Sequence, residues 1–154
     1  MIKTMRFFEK TSILLVIAYM TILSIILSNI FAAISGITGE NLKGVDFSKY
    51  SKTEEFVLVV FIAPLIETLI FQYLVIKGVR YLTKNIHIQC IVSAVLFSLN
   101  HNFNVLYMID AFFIGLILGY TFLIAKIKKS YPFWATFLVH LLLNFYVFVV
   151  RHYL

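Results

Sequence analysis

The sequence predicts an all-α polytopic membrane bundle of about five transmembrane helices. Three observations carry this. Hydrophobic residues make up 62% of the 154 positions and charged residues only 13%, against about 45–50% and about 25% in a soluble domain. A chain of this size buries only about two-thirds of its surface, so such an apolar excess has no core large enough to hold it. The apolar residues also run in continuous stretches without two-residue alternation, which argues for helices over strands whose open edges lipid cannot satisfy. Soluble, fibrous, disordered and nucleic-acid-binding classes are excluded together: there is no repeat, Gly and Pro number 6 and 2, and the cations sit in short segments between apolar runs.

A spanning helix needs about 20 apolar residues. The first stretch, about 11–36, follows Lys3, Arg6 and Lys10. Its apolar length from Ile13 to Ile34 exceeds the about 7–15 residues of a cleaved signal's core, so it reads as a retained helix. The connector 37–53 is the only sizeable polar stretch. The second helix, about 54–76, opens on Glu54 and Glu55, where negative charge favours the helix dipole. The third, about 86–101, is the shortest; its Cys90 is the single cysteine of the chain and reads as a small buried hydrophobe. The fourth, about 104–125, carries Asp110, read as a helix-start charge, and Gly115 and Gly119, four apart and suited to close helix packing. The fifth is about 132–150. His87 and His152 flank loops and are expected in water. The whole chain, 1–154, is one integral-membrane domain.

Loop charge sets orientation. With five crossings, Lys3, Arg6, Lys10, Lys77, Arg80, Lys84, Lys126, Lys128 and Lys129 fall on one side. The other side holds Lys43, Lys49, Lys52 and Arg151, diluted by Glu40, Asp46, Glu54 and Glu55. The positive-inside rule then places the N-terminus in the cytoplasm.

Ionisable groups inside a span cost at least about 2.5–3.5 kcal/mol on insertion scales and mark functional sites. Glu67 stands mid-helix in APLIETLIFQY, His101 in FSLNHNF, and His140 with Asn144 in FLVHLLLNF. The last two are one turn apart and share a face. Interhelical hydrogen bonding is the plain alternative for each, but four such groups on three helices of so uncharged a chain point to a site. A carboxylate beside a His can deprotonate water for attack on a carbonyl. A His with an Asn can hold the resulting oxyanion. Peptide-bond hydrolysis within the membrane fits that inventory. Two His and one Glu also match an open zinc site, although the local HExxH signature is absent. No cofactor is required by the sequence; a divalent metal such as Zn2+, if bound, would take Glu67, His101 and His140. Haem ligation has only the two imidazoles in its favour, and Cys90 and Ser93 lack a nucleophile elbow.

These residues resemble the CAAX protease and bacteriocin-processing group of intramembrane proteases, the Abi family, and are similar to its type II CAAX prenyl endopeptidases. The family's P-x-x-E-E-x-x-F-R motif has its counterpart in Pro64-Leu65-Ile66-Glu67-Thr68-Leu69-Ile70-Phe71-Gln72. F-x-x-x-H is matched by Phe97 to His101, and H-x-x-x-N by His140 to Asn144. The stretch Phe112 to Tyr120 resembles the family's glycine-bearing helix. The family-like core covers about 54–150. The resemblance implies an endopeptidase in which Glu67 and His101 activate water while His140 and Asn144 stabilise the oxyanion. It gives Thr68 and Gln72, which replace the usual second Glu and Arg, a supporting role as a neutral hydrogen-bonded pair. It implies a membrane-associated protein or peptide as substrate, of CAAX, bacteriocin-leader or signalling type, the lipid bilayer as surroundings, and a bacterial plasma membrane as location. The alternative is a non-catalytic relative that binds a peptide or membrane partner, as in bacteriocin immunity. Oligomeric state is unreadable from the residues.

One feature resists a simple bundle. His101 follows Lys84 by seventeen residues, whereas Glu67 and His140 lie about ten from their basic flanks. At about 1.5 Å per residue the offset is about 10 Å. The third helix is therefore expected to be displaced, or the Asn100–Asn104 connector to dip into the membrane.

Overall fold

The computed structural model describes residues 11–40, 42 and 44–154. Lys3, Arg6, Lys10 and Lys43, used above for orientation, lie outside the described residues. Among the described residues the architecture is all-α, with five helices: α1 (Ile13–Thr38), α2 (Lys52–Leu82), α3 (Ile86–Leu99), α4 (Val105–Ile127) and α5 (Pro132–Tyr153). Four of them are long and apolar enough to cross a membrane, and α3 falls short of that length. Leu14, Leu15, Ile37, Tyr81 and Leu82 are among many large apolar side chains left exposed on the surface. Such a surface is stable in hydrocarbon and costly in water. The chain is an integral membrane protein.

The order of burial identifies the centre of the bundle. The most apolar window of α4 is 61% buried, against 22% for α1, 28% for α2 and 33% for α5. Helix α4 packs against α1, α3 and α5, and α1 also packs against α5. Val16, Leu118 and Val139, all fully buried, join α1, α4 and α5 in one core cluster. Asn29 of α1 and Tyr146 of α5 add a polar tie, with the Asn29 amide donating to the Tyr146 hydroxyl at 2.8 Å.

The glycines of α4 permit its closest approach. A Cβ on Gly115 would stand 3.0 Å from Ala94 Cα, and one on Gly119 would stand 3.3 Å from Cys90 Sγ. Cys90 is free and fully buried, packed beneath Gly119 as a small apolar side chain. Ser93, one turn on, donates to the Phe71 carbonyl at 3.0 Å and so joins α3 to α2.

Helix α2 is longer than its apolar pattern predicts. It begins at a capping box, in which the Ser51 hydroxyl accepts from the Glu54 N–H and the Glu54 carboxylate accepts from the Ser51 N–H at 2.8 Å. It then runs on through the basic residues Lys77 and Arg80. Its course is not uniform: Val57–Ile62 and Thr68–Val75 are wound as π-helix around the short α-helical stretch Ala63–Glu67. Pro64 accounts for the first widening. Proline has no N–H and clashes with the carbonyl four residues back. The Ala63 N–H turns to Leu58 O, five residues back. In that register Pro64 would serve Val59 O and has no hydrogen to offer. The Asn144 Nδ2 of α5 donates to Val59 O instead, at 2.9 Å.

Three expectations are corrected here. Glu55 does not remain in water: it is 5% exposed and pairs with Arg151 Nη1 at 3.0 Å and His152 Nε2 at 3.1 Å. His152 is accordingly a partner of α2, not a solvated loop residue, and His87 Nδ1 lies 2.6 Å from the Tyr120 hydroxyl. Asp110 is not a helix-start charge, because α4 begins at Val105 and puts it in the second turn. Its Oδ1 is buried without a hydrogen-bonding partner among the described residues.

Candidate active site

Each site residue reaches the centre by a different local device. Glu67 ends the α-helical stretch between the two π-wound segments of α2. π-Turns inside helices recur at functional sites because the extra residue re-aims the side chains around it. His101 lies beyond α3, whose fourteen residues span only about 21 Å. The imidazole beyond the end of α3 nonetheless meets Glu67, as the expectation of a displaced third helix or a dipping connector requires. The connector satisfies its own backbone: His101 N–H donates to Ser98 O and Phe103 N–H to His101 O, both at 2.9 Å. Asn104 then caps α4 by accepting from the Tyr107 N–H at 2.8 Å. His140 and Asn144 follow one another by one turn on α5.

The result is a carboxylate held between two imidazoles. His101 Nε2 stands 3.8 Å from Glu67 Oε1, and His140 Nε2 stands 3.5 Å from Glu67 Oε2. The Glu67 side chain is 18% exposed and that of His101 14%, whereas that of His140 is 4% exposed. The site is therefore open on the side of Glu67 and His101 and closed behind His140. Phe97 forms the wall between the two imidazoles, its ring centroid 4.4 Å from that of His101 and 5.7 Å from that of His140.

Hydrogen bonds assign the imidazole protons. His101 Nδ1 is 2.8 Å from the Phe97 carbonyl, an acceptor, so the proton belongs on Nδ1 and the Nε2 lone pair faces Glu67. His140 is the reverse case. Its Nδ1 is buried with no partner among the described residues, and a bare lone pair there costs less than an unsatisfied N–H. Its Nε2 then carries the hydrogen and points it at Glu67. One histidine thus presents an acceptor to the site and the other a donor. The 3.8 Å gap between Glu67 and His101 is too long for a direct hydrogen bond.

Asn144 is placed on the same helix face as His140, as expected, but one amide hydrogen is committed to Val59 O. It joins α5 to α2 eight residues before Glu67. Thr68 and Gln72 are fully buried. They do not form the expected hydrogen-bonded pair: Thr68 Oγ1 and both Gln72 amide atoms lack partners among the described residues. Among those residues no group of three or more His, Cys, Asp and Glu side chains is disposed to hold a metal ion.

Tyr107 is the site residue that the sequence reasoning missed. Its ring centroid is 5.8 Å from that of His101, inclined by 33°, and it lies within electrostatic reach of both Glu67 and Asp110. A Cβ on Gly44 would meet its hydroxyl at 3.2 Å, so Gly44 lies against Tyr107. The available signal was the Asn104 cap, which fixes Tyr107 in the first turn of α4, directly after the His101 connector.

A family model described as Rce1-like, type II CAAX prenyl endopeptidase Rce1-like, matches residues 51–146. The matched segment begins at the Ser51 cap of α2 and ends just beyond Asn144, so it contains Glu67, His101, His140 and Asn144. No curated protein and no solved structure gives a significant match.

Proposed function

The chain belongs to the Rce1-like family of type II CAAX prenyl endopeptidases, and from that premise we propose that it is an intramembrane endopeptidase that hydrolyses a peptide bond of a membrane-associated protein or peptide with water activated by Glu67 and His101. The observation that carries the reading is the carboxylate flanked by Nε2 atoms at 3.5 and 3.8 Å.

In the proposed reaction a water bridges Glu67 Oε1 and His101 Nε2. As its oxygen attacks the peptide carbonyl, Glu67 takes one proton, a general-base step often worth about 10²–10⁴-fold. The carbonyl becomes a tetrahedral oxyanion. His140 Nε2–H, on the closed side of the site, faces that charge, and the second N–H of Asn144 lies one turn away on the same face. A preorganised donor to an oxyanion contributes about 3–4 kcal/mol. Glu67 then returns its proton to the leaving amine, the C–N bond breaks, and a new carboxyl and a new amino terminus result. No step is routed through a metal. Thr68 and Gln72 back the Glu67 turn from within the protein and touch no reacting atom.

The family description names CAAX prenyl substrates, which makes a prenylated peptide ending in a CAAX-type sequence the first substrate to try. Purified protein in vesicles should release its C-terminal fragment, and Glu67→Gln, which keeps shape and removes the base, should lower the rate by at least about 100-fold. Equal rates for the two proteins would refute the assigned role of Glu67. The bacteriocin-immunity alternative predicts binding without cleavage for both.

A further inference from the structure

At the opposite end of α2 from its capping box, cations gather with no acid paired to them among the described residues. A cleft of about 440 Å³ is lined by Lys77, Arg80 and Lys84 of the α2–α3 corner and by Lys126 of α4. Lys126 is close enough to Lys77 and Arg80 for their charges to repel its own. Between Thr68 and Leu154 the sequence contains one acid, Asp110, which lies sixteen residues before Lys126 along α4, about 24 Å away. None of these four cations forms an ion pair among the described residues. Like charges brought together from two helices are unfavourable unless an anion sits among them.

The walls of the cleft are aromatic. Lys77 Nζ lies 5.5 Å above the Tyr73 ring and Lys126 Nζ 5.9 Å above that of Phe122. Tyr131 and Trp134, 80% and 55% exposed, stand one residue before and two after Pro132, which lines the cleft. Exposed Tyr and Trp of this kind mark the headgroup level of a bilayer. Basic pockets between helix ends at that level suit phospholipid headgroups.

We infer that this cleft is a binding site for the phosphate of an anionic phospholipid headgroup, with Lys77, Arg80 and Lys126 as its ligands. The acyl chains run down the exposed apolar faces of α2 and α4 between the aromatic side chains. A bound lipid neutralises the three cations and fixes the depth of α2, whose Glu67 lies ten residues, about 15 Å, below Lys77. The inference rests on the cleft alone and not on the proteolytic reading.

The test is direct binding to the full chain in neutral detergent, with dioctanoyl phosphatidylglycerol as probe, dioctanoyl phosphatidylcholine as the uncharged comparison and inorganic phosphate as the soluble source. Saturable binding of phosphatidylglycerol over phosphatidylcholine is expected. It should weaken about fivefold for each of Lys77→Gln, Arg80→Gln and Lys126→Gln and be unchanged in Lys49→Gln at the other end of the bundle. Displacement by inorganic phosphate at a similar concentration would overturn the lipid as source. Equal binding of the two lipids, or unchanged affinity in the triple variant, would overturn the site. Should the triple variant misfold, phosphatidylglycerol should still slow acylation of Lys77 and Lys126 in the unmodified protein relative to Lys49. No such protection would overturn the inference as well.

Discussion

At the scale of single residues, the site depends on side chains whose partners come from other helices. Asn144 shows this most clearly. Its amide serves the carbonyl that Pro64 leaves without a donor, so it sets how α5, and with it His140, stands against Glu67. Asn144→Ala leaves Val59 O unsatisfied at a cost of about 1–3 kcal/mol. It should lower turnover by about 100-fold, since a displacement of about 1 Å at a reacting centre has that effect. Kinetics of the reconstituted variant with the helical content checked by circular dichroism would measure it; unchanged turnover would show that the tie does not position the site. Glu67, His101, His140 and Asn144 were legible in the sequence because lipid makes every buried polar group conspicuous. The proton assignments were not, because they come from Phe97 O and from the lack of a hydrogen-bond partner for His140 Nδ1 among the described residues. Thr68 and Gln72 could be picked out as unusual, but their failure to pair depends on side-chain directions that spacing does not encode. Tyr107 was invisible for a different reason: an aromatic at the start of an apolar helix is ordinary until its neighbours are known.

At the scale of helices, hydropathy identified all five elements and erred at their ends. Helix α2 extends to Leu82 because basic residues near a helix terminus continue it and interact well with its dipole, whereas an apolar-run reading stops at Ile76. The π-wound turns around Ala63–Glu67 were unreadable, since Pro64 alone announces a kink or a break and only the Asn144 tie makes a widened, continuous helix affordable. The short α3 was legible in length but not in consequence: its early end brings His101 to the site. Close packing at Gly115 and Gly119 was predicted without its partner, and the 3.0 Å approach of a Cβ at Gly115 to Ala94 Cα identifies that partner as α3 and makes the packing testable. Gly115→Val should push α4 off α3, destabilise the protein by about 1–3 kcal/mol and lower its thermal aggregation temperature in detergent. A variant as stable as the parent would contradict close packing at that crossing.

At the scale of the whole molecule, two ends of the bundle are fastened differently. One end gathers cations around the α2–α4 cleft that have no acidic partner among the described residues. The other is clamped by Glu55, which draws Arg151 and His152 from the last turn of α5 to the first turn of α2. The sequence reading took Glu55 as a helix-start charge and placed His152 in water; only the tertiary meeting of those helix ends buries Glu55. Glu55→Ala should destabilise the fold by about 1–3 kcal/mol, whereas Arg151→Ala should cost about 0–1 kcal/mol, because that guanidinium is 54% exposed and water replaces its partner. Thermal unfolding of the two variants would separate them, and equal losses would argue against a buried node.

The central claim is that this bundle cuts peptide bonds with Glu67. The most direct measurement compares terminal peptides, by mass spectrometry, from membranes and medium of cells producing the parent protein or Glu67→Gln at equal levels. New protein termini present only with the parent are the predicted result, and their sequences define the substrate class without prior assumption. Identical terminal profiles from two folded, equally abundant proteins would contradict the account and favour a binding role for the same site.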